Sequence, residues 1–338
     1  MSAFSNLLIP AVLFFGLGFF ARVIKSDLRF PQDLAKILSI YLLVAIGLHG
    51  GYELGKADLA TALYAVVWAL ILGFGLPVIG YGLLLASRRV DHMNAAAIAA
   101  HYGSVSAGTF LTAIAYLDNL GTEYESYPVI MLAVMESPAI IVGLLLASWS
   151  RQRLNAGTQA GSGGVAVLDG GNGKAPLGQL LHEAFTNGSV VLLIGSMVIG
   201  AISTPQGMEK LYPFMNDIFM GMLCLFLFEM GMEAARRIRE FRKVGGVLLV
   251  FGLTMPLIGG AVGVAVGSWV LGLSIGGTTL VGVLGASASY IAVPPAMRLA
   301  VPEANPSFYL TLSLGITFPF NVVVGIPLYY YWAQLAAA

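Results

Sequence analysis

The chain is poor in the residues on which most soluble chemistry rests. Its one cysteine, Cys224, stands in an apolar run, so it offers neither a disulfide framework nor a thiolate metal site and reads as a small packing residue. There are four histidines, and no His-Glu-x-x-His pattern, Walker-type loop or ordered Ser/His/Asp set accompanies them. No catalytic constellation or organic cofactor motif follows, and the chain is not expected to be an enzyme. Lys and Arg number 17 against 17 Asp and Glu, a balance that excludes the basic surface nucleic acid requires. Charge of either sign is the scarcest commodity. Only 10% of the residues are charged, against about 25% in a soluble globular domain. With 58% hydrophobic residues, the excess must lie in long apolar stretches, which read as membrane spans.

What is present is ten such stretches, near residues 6–24, 34–52, 59–86, 93–117, 127–149, 189–204, 214–235, 244–272, 275–298 and 306–334. A bilayer core takes about 20 helical residues, so the length suits this number with short loops. Of the 17 basic residues, all but Lys56 and Lys210 fall on alternate connections, with the densest group at Arg236, Arg237, Arg239, Arg242 and Lys243. The positive-inside rule then places the central loop in the cytoplasm and both termini outside, in a multi-pass protein of the cell inner (plasma) membrane. The basic group is a topology signal first and a lipid headgroup contact second. Met1 to Asn6 lacks a positive n-region and no cleavage site follows the first apolar run, so that span is expected to be retained. Tyr329, Tyr330, Tyr331 and Trp332 form an interfacial aromatic anchor.

Residues 151–186 are rich in Gly, Ser and Asn, a composition that reads as a cytoplasmic linker, with a short surface helix expected over Leu177 to Phe185. The linker separates residues 1–150 from 187–338, and the two parts resemble one another. Gly47-Leu48-His49-Gly50 answers Gly231-Met232-Glu233-Ala234, and Leu76-Pro77-Val78-Ile79-Gly80 answers Met255-Pro256-Leu257-Ile258-Gly259. Gly103-Ser104-Val105-Ser106 answers Gly285 to Ser289, and Pro138 to Gly143 answers Pro319 to Gly325, all in order and at offsets between 179 and 184 residues. Five spans per repeat is odd, so the second copy enters from the opposite side. The expected fold is all-α: ten transmembrane helices in a 5+5 inverted repeat.

In such folds sites form near the midplane, where paired helices are broken and half-helix N-termini face the substrate. The candidates are span four, with Gly103, Ser104 and Ser106, and span nine, with Ser287, Ser289 and Tyr290 before Pro294-Pro295. Small residues also let helices approach closely, but two clusters at repeat-equivalent places, one ending in a double proline, favour a site. Serine hydroxyls and unpaired N–H groups there would hold an anion without a basic side chain. Glu136 is an acid deep in apolar sequence, a costly placement that marks a functional candidate. With Ser137 beside Pro138, and Thr317 and Asn321 around the equivalent Pro319, it offers oxygen ligands for Na⁺. Glu229 is a second such acid, balanced between function and a place near the cytoplasmic end. His101 is expected to hydrogen-bond within a helix packing. Gly16 to Ala21 fits a dinucleotide fingerprint only formally, because no strand precedes it.

Ser287-Ala288-Ser289-Tyr290-Ile291-Ala292-Val293-Pro294-Pro295, followed by Arg298 and by Val301-Pro302-Glu303-Ala304-Asn305-Pro306-Ser307, resembles the sodium-dependent bicarbonate transporters of cyanobacteria. Ile46 to Gly51 and Met230 to Glu233 resemble helix signatures of the same family. The resemblance implies a mobile core domain beside a gate domain, a homotrimer, Na⁺:HCO₃⁻ symport, and a PII-like regulatory protein at the cytoplasmic face. It carries the site onto Ser104, Ser106, Ser287 and Ser289, with Glu136 where the family has an acid. The chain departs from the family pattern at Tyr290, which replaces an Asp, and at Glu229, which replaces an apolar residue. Tyr290 motivates an alternative, a Na⁺-coupled symporter of another small anion or monocarboxylate.

Overall fold

The computed structural model describes residues 10–28, 31–56, 58–159, 188–238, 241–291 and 293–338. In chain order the helices are α1 (Pro10–Val23), α2 (Gln32–Leu54), α3 (Leu59–Ala86), α4 (His92–Gly103), α5 (Ala107–Leu120), α6 (Tyr127–Gln159), α7 (Gly188–Ile202), α8 (Pro205–Tyr212) and α9 (Phe219–Ile238). Then come α10 (Phe241–Ala265), α11 (Ile275–Ala286) and α12 (Val293–Ala300). The last element, α13 (Pro306–Ala337), includes π-helical stretches over Thr311–Thr317 and Asn321–Gly325. Among the described residues there is no strand. The predicted surface helix lies outside the described residues. Helix α6 continues beyond residue 150 to Gln159, into the stretch read from composition as linker. Gln152, Arg153 and Leu154 propagate a helix well, and only one glycine interrupts the run before Gln159.

Among the described residues six helical segments are long and apolar enough to cross a membrane: Lys36–Leu54, Ala60–Ala86, Tyr127–Arg151, Pro205–Arg237, Gly245–Val270 and Pro306–Ala337. Pro10–Val23, Val191–Ile202 and Ile275–Ala286 are apolar but shorter. The fourth and ninth predicted spans are each divided in two, as the Ser/Gly clusters anticipate. Helix starts are set by polar residues at the chain's turns. Asp58 accepts from Thr61 N at 2.9 Å, and Asp91 from Asn94 N at 2.9 Å. Gly121, at φ +63°, closes α5 in the left-handed conformation that glycine alone adopts freely.

The packing comes in matching pairs. Helices α1 and α9 meet through Gly18, against the Phe228 carbonyl, and Gly231, against the Phe15 carbonyl. Helices α2 and α7 meet through Gly51, against the Met197 carbonyl, and Gly200, against the Leu48 carbonyl. A side chain at any of the four would fall on backbone, so these helices approach as closely as small-residue ridges permit. On the other side of the bundle α3 packs on α4 and α6, as α10 packs on α11 and α13. Gly73 takes Pro138 at 3.2 Å from where its Cβ would stand, and Gly252 takes Leu312 at 2.9 Å. Gly103 rests on Pro77, and Gly285 on Gly259.

Candidate functional site

Two breaks face each other in the middle of the bundle. Helix α4 stops at Gly103 and α5 starts at Ala107, with Ser104 (φ −91°, ψ 168°) and Ser106 (φ −114°, ψ 108°) extended between them. Helix α11 stops at Ala286, and Ser287 (φ −82°, ψ 161°) leads the chain across. Extended backbone inside a membrane must find partners for its N–H and C=O groups. Here each break supplies them to the other: Ser106 N donates to Ser287 Oγ at 3.0 Å, and Ser289 N donates to the His101 carbonyl at 2.8 Å. Ser287 Oγ in turn donates to the Leu284 carbonyl at 3.1 Å. Ser287 is therefore a stitch between the breaks, with its donor and acceptor both in use.

Ser106 is built differently. Its Oγ caps α5, accepting from Thr109 N at 3.2 Å and from Thr109 Oγ1 at 2.9 Å. With both lone pairs engaged, its own O–H is left as a donor. Ser106 and Ala107 border a small cavity, together with Ser39 and Leu43 of α2, Leu132 and Glu136 of α6, Leu193 of α7, and Ser289, Tyr290 and Ile291. The first-turn N–H groups of α5, a 14-residue helix, lack intrahelical acceptors and carry the positive end of its dipole. One wall thus presents donors and partial positive charge. The wall from α6 presents the Glu136 carboxyl, next to a helix whose Pro138 leaves the Val134 carbonyl without its helical donor.

The structure brings Ser106, Ser289, Tyr290 and Glu136 around one cavity, and Gly103, Ser104, Ser287, Thr317 and Asn321 are not among its lining residues. Gly103 is pressed against Pro77. Ser104 Oγ reaches the Glu136 backbone carbonyl at 3.5 Å, the long limit of a hydrogen bond. Ser137 follows Glu136 in α6. Thr317 is fully buried: Oγ1 donates to the Gly252 carbonyl at 2.7 Å and so accepts from Tyr102 Oη at 2.6 Å. Asn321, also fully buried, donates Nδ2 to the Ala286 carbonyl at 2.9 Å and accepts from Tyr329 Oη at 2.9 Å, capping the broken end of α11. Neither Thr317 nor Asn321 lines the cavity. His101 is a packing histidine: Nδ1 donates to the Ala97 carbonyl at 2.7 Å and the ring stacks on Tyr309 with centroids 4.3 Å apart. Ser39 lines the cavity without having been anticipated. It is a single serine in an apolar helix, and only the packing of α2 across the breaks gives it a place.

Among the described residues no group of three or more His, Cys, Asp or Glu could hold a metal ion. A monovalent cation here would have Glu136 with hydroxyl and carbonyl oxygens, not a cage of acids. At one end of the bundle Arg151 forms a two-bond pair with Glu303, Nε to Oε1 at 2.9 Å and Nη2 to Oε2 at 2.7 Å, which holds the Glu303 carboxyl below its ordinary range. At the other end Glu125 accepts from Ser274 N at 2.7 Å and so ties the α5–α6 turn to the start of α11.

Apolar helices long enough to cross a bilayer, with a cavity carrying serines and a glutamate where two interrupted helices meet, fit a multi-pass membrane transport protein. The chain belongs to the Na⁺-dependent bicarbonate transporter superfamily, whose family description matches residues 10–334. The resemblance read from Ser287 to Ser307 is thereby established over nearly the whole chain. A search of curated proteins found no match.

Proposed function

We propose that the protein is a Na⁺-coupled bicarbonate symporter working by alternating access. The observation that carries this reading is the pairing of opposite chemistries in one cavity: the capped N-terminus of α5 with the Ser106 hydroxyl on one wall, and Glu136 on another. Bicarbonate is small and singly charged, so hydroxyls and helix N–H groups suffice to hold it. No basic side chain is among the cavity's described lining residues, which argues against a larger dicarboxylate. Glu136 is the Na⁺ ligand in this reading, supported by neighbouring oxygens. Each ion then improves the site for the other, because the charge of one offsets the charge of the other in a poorly solvated space.

In the same reading the chain forms ten spans in a 5+5 inverted repeat. The matched packings support it, α1 on α9 beside α2 on α7, and α3 on α6 beside α10 on α13. The glycine-packed pairs would serve as gate, and the helices around the breaks as the moving core. Both termini would lie outside, and a homotrimer in the inner membrane, regulated by a PII-like protein on the cytoplasmic side, follows from the family alone. The alternative substrate is another small anion or monocarboxylate, and Tyr290 at the cavity is what favours keeping it.

Linked binding tests the proposal. Bicarbonate should lower the Na⁺ concentration needed for half-maximal thermal stabilisation of the purified protein at least several-fold, and Na⁺ should do the same for bicarbonate. Independent stabilisation by the two ions, or none by bicarbonate, would sink the reading.

A further inference from the structure

One large aromatic side chain lines the cavity. Tyr290 lines it beside Ser106 and Ser289, and its hydroxyl extends to Gly108 in the first turn of α5. A Cβ at Gly108 would meet Tyr290 Oη, and it would also stand 2.9 Å from Phe226 Cε1 and 3.3 Å from Phe318 Cε2. The phenol ring is braced edge-on against Phe318 with centroids 5.5 Å apart, and Phe318 is braced in the same way on Phe15 at 5.6 Å. Tyr290 Oη is buried and has no hydrogen-bond partner of good geometry, the Ser106 hydroxyl being the polar group it approaches. Its position is therefore set by shape, by two aromatic rings and a residue that has no side chain. Glu229 stands one turn along α9 from Phe226, and its buried Oε2 also lacks a hydrogen-bond partner. The phenol thus occupies the space between the Ser106 side of the cavity and Phe226, one turn from Glu229.

We propose that Tyr290, backed by Gly108, is the size filter of the anion site: it limits the substrate to bicarbonate-sized anions and screens it from Glu229. The proposal rests on the reading of the cavity as an anion site. Its physical content is that a packed interior does not refill the space left by a large side chain. Shortening Tyr290 opens the cavity toward Phe226, Phe318 and Glu229, and a longer carboxylate can place its apolar tail there. Adding a methyl at Gly108 does the reverse and drives the phenol into the substrate's space.

The test uses the full-length protein in liposomes, with an inward Na⁺ gradient and a graded series of labelled anions: bicarbonate, formate, acetate and propionate. Tyr290→Ala should raise propionate uptake relative to bicarbonate at least tenfold, and Glu229→Gln in that background should raise it again. Tyr290→Phe, which keeps the ring, should hold the wild-type ratio whatever its absolute rate. Gly108→Ala should cut bicarbonate uptake about tenfold, and the double variant Gly108→Ala/Tyr290→Ala should recover part of it. Should Tyr290→Ala not be recovered folded, Tyr290→Leu, which shortens the side chain but keeps apolar packing, takes its place. An unchanged size cut-off in Tyr290→Ala, or an equal shift in Tyr290→Phe, overturns the filter. If the wild type carries only carboxylates and no bicarbonate, the proposed substrate falls. The filter is then judged by whether Tyr290→Ala admits the next larger acid. If no anion is carried by any variant, both fall.

Discussion

Pro138 in α6 and Pro319 in α13 stand at equivalent places in the two parts of the sequence, yet their surroundings are put to opposite uses. Beside Pro138, Glu136 lines the cavity, and among the described residues it has no salt-bridge partner. Beside Pro319, Thr317 and Asn321 spend every polar atom on the protein itself, joining α13 to Gly252, Tyr102, Ala286 and Tyr329. A buried polar group that is fully satisfied rigidifies, whereas one that faces a cavity is available to a ligand. The same division runs through the breaks, where Ser287 is consumed as a stitch and Ser106 keeps a donor free. Internal similarity therefore locates the prolines and breaks, but the side-chain partners decide which of them binds and which holds.

Substitutions can break this comparison. The largest effect is expected from Glu136→Gln, which keeps the shape but removes the charge: Na⁺-driven uptake should fall by more than tenfold and lose its Na⁺ dependence. Persistent Na⁺ dependence in that variant would remove Glu136 as the ion ligand. Ser106→Ala loses both a helix cap, about 1 kcal/mol, and the free donor, about 1 kcal/mol more. A rise in the half-saturating anion concentration of roughly fivefold, with a lower thermal midpoint, should be seen in uptake and unfolding assays. Thr317→Val should act on stability alone, costing about 1–3 kcal/mol by leaving Tyr102 and Gly252 without their partner. Its unfolding midpoint should drop while the Na⁺ requirement persists, and loss of that requirement would show that Thr317 touches the ion.

Much of the fold was legible in the sequence, because the bilayer forces helices and the placement of Arg and Lys punctuates them. The breaks were legible too, since serine, glycine and proline clusters interrupt otherwise apolar runs at 103–106 and 285–295. What could not be read was direction. Ser104 and Ser106 differ by two residues, and only the capping bonds to Thr109 reveal which hydroxyl keeps a free proton. Thr317 and Asn321 carry suitable oxygens, but their acceptors lie on α10 and α11, far off in sequence. Ser39 and Gly108 had no signal at all: one depends on which helix crosses the breaks, the other on where a tyrosine almost two hundred residues later directs its hydroxyl.

The smallest effect concerns the Arg151–Glu303 pair, which is partly exposed. Because Arg151 depresses the Glu303 carboxyl in the folded state, the pair's contribution is present above the ordinary carboxylate pKa and is lost as pH falls through the depressed value. Exposed pairs contribute about 0–1 kcal/mol. The unfolding midpoint of Glu303→Gln should sit slightly below wild type at pH 7 and merge with it once pH has fallen below the depressed Glu303 value. A gap that stays constant down to acidic pH would show that the charge of Glu303 is not what stabilises the turn.

The most direct test of the account is uptake of labelled bicarbonate into liposomes containing the protein, with and without an inward Na⁺ gradient at fixed membrane potential. Accumulation driven by the gradient is the predicted result. Equal equilibration with and without the gradient, in vesicles whose protein binds Na⁺, would contradict symport at the Ser106–Glu136 cavity.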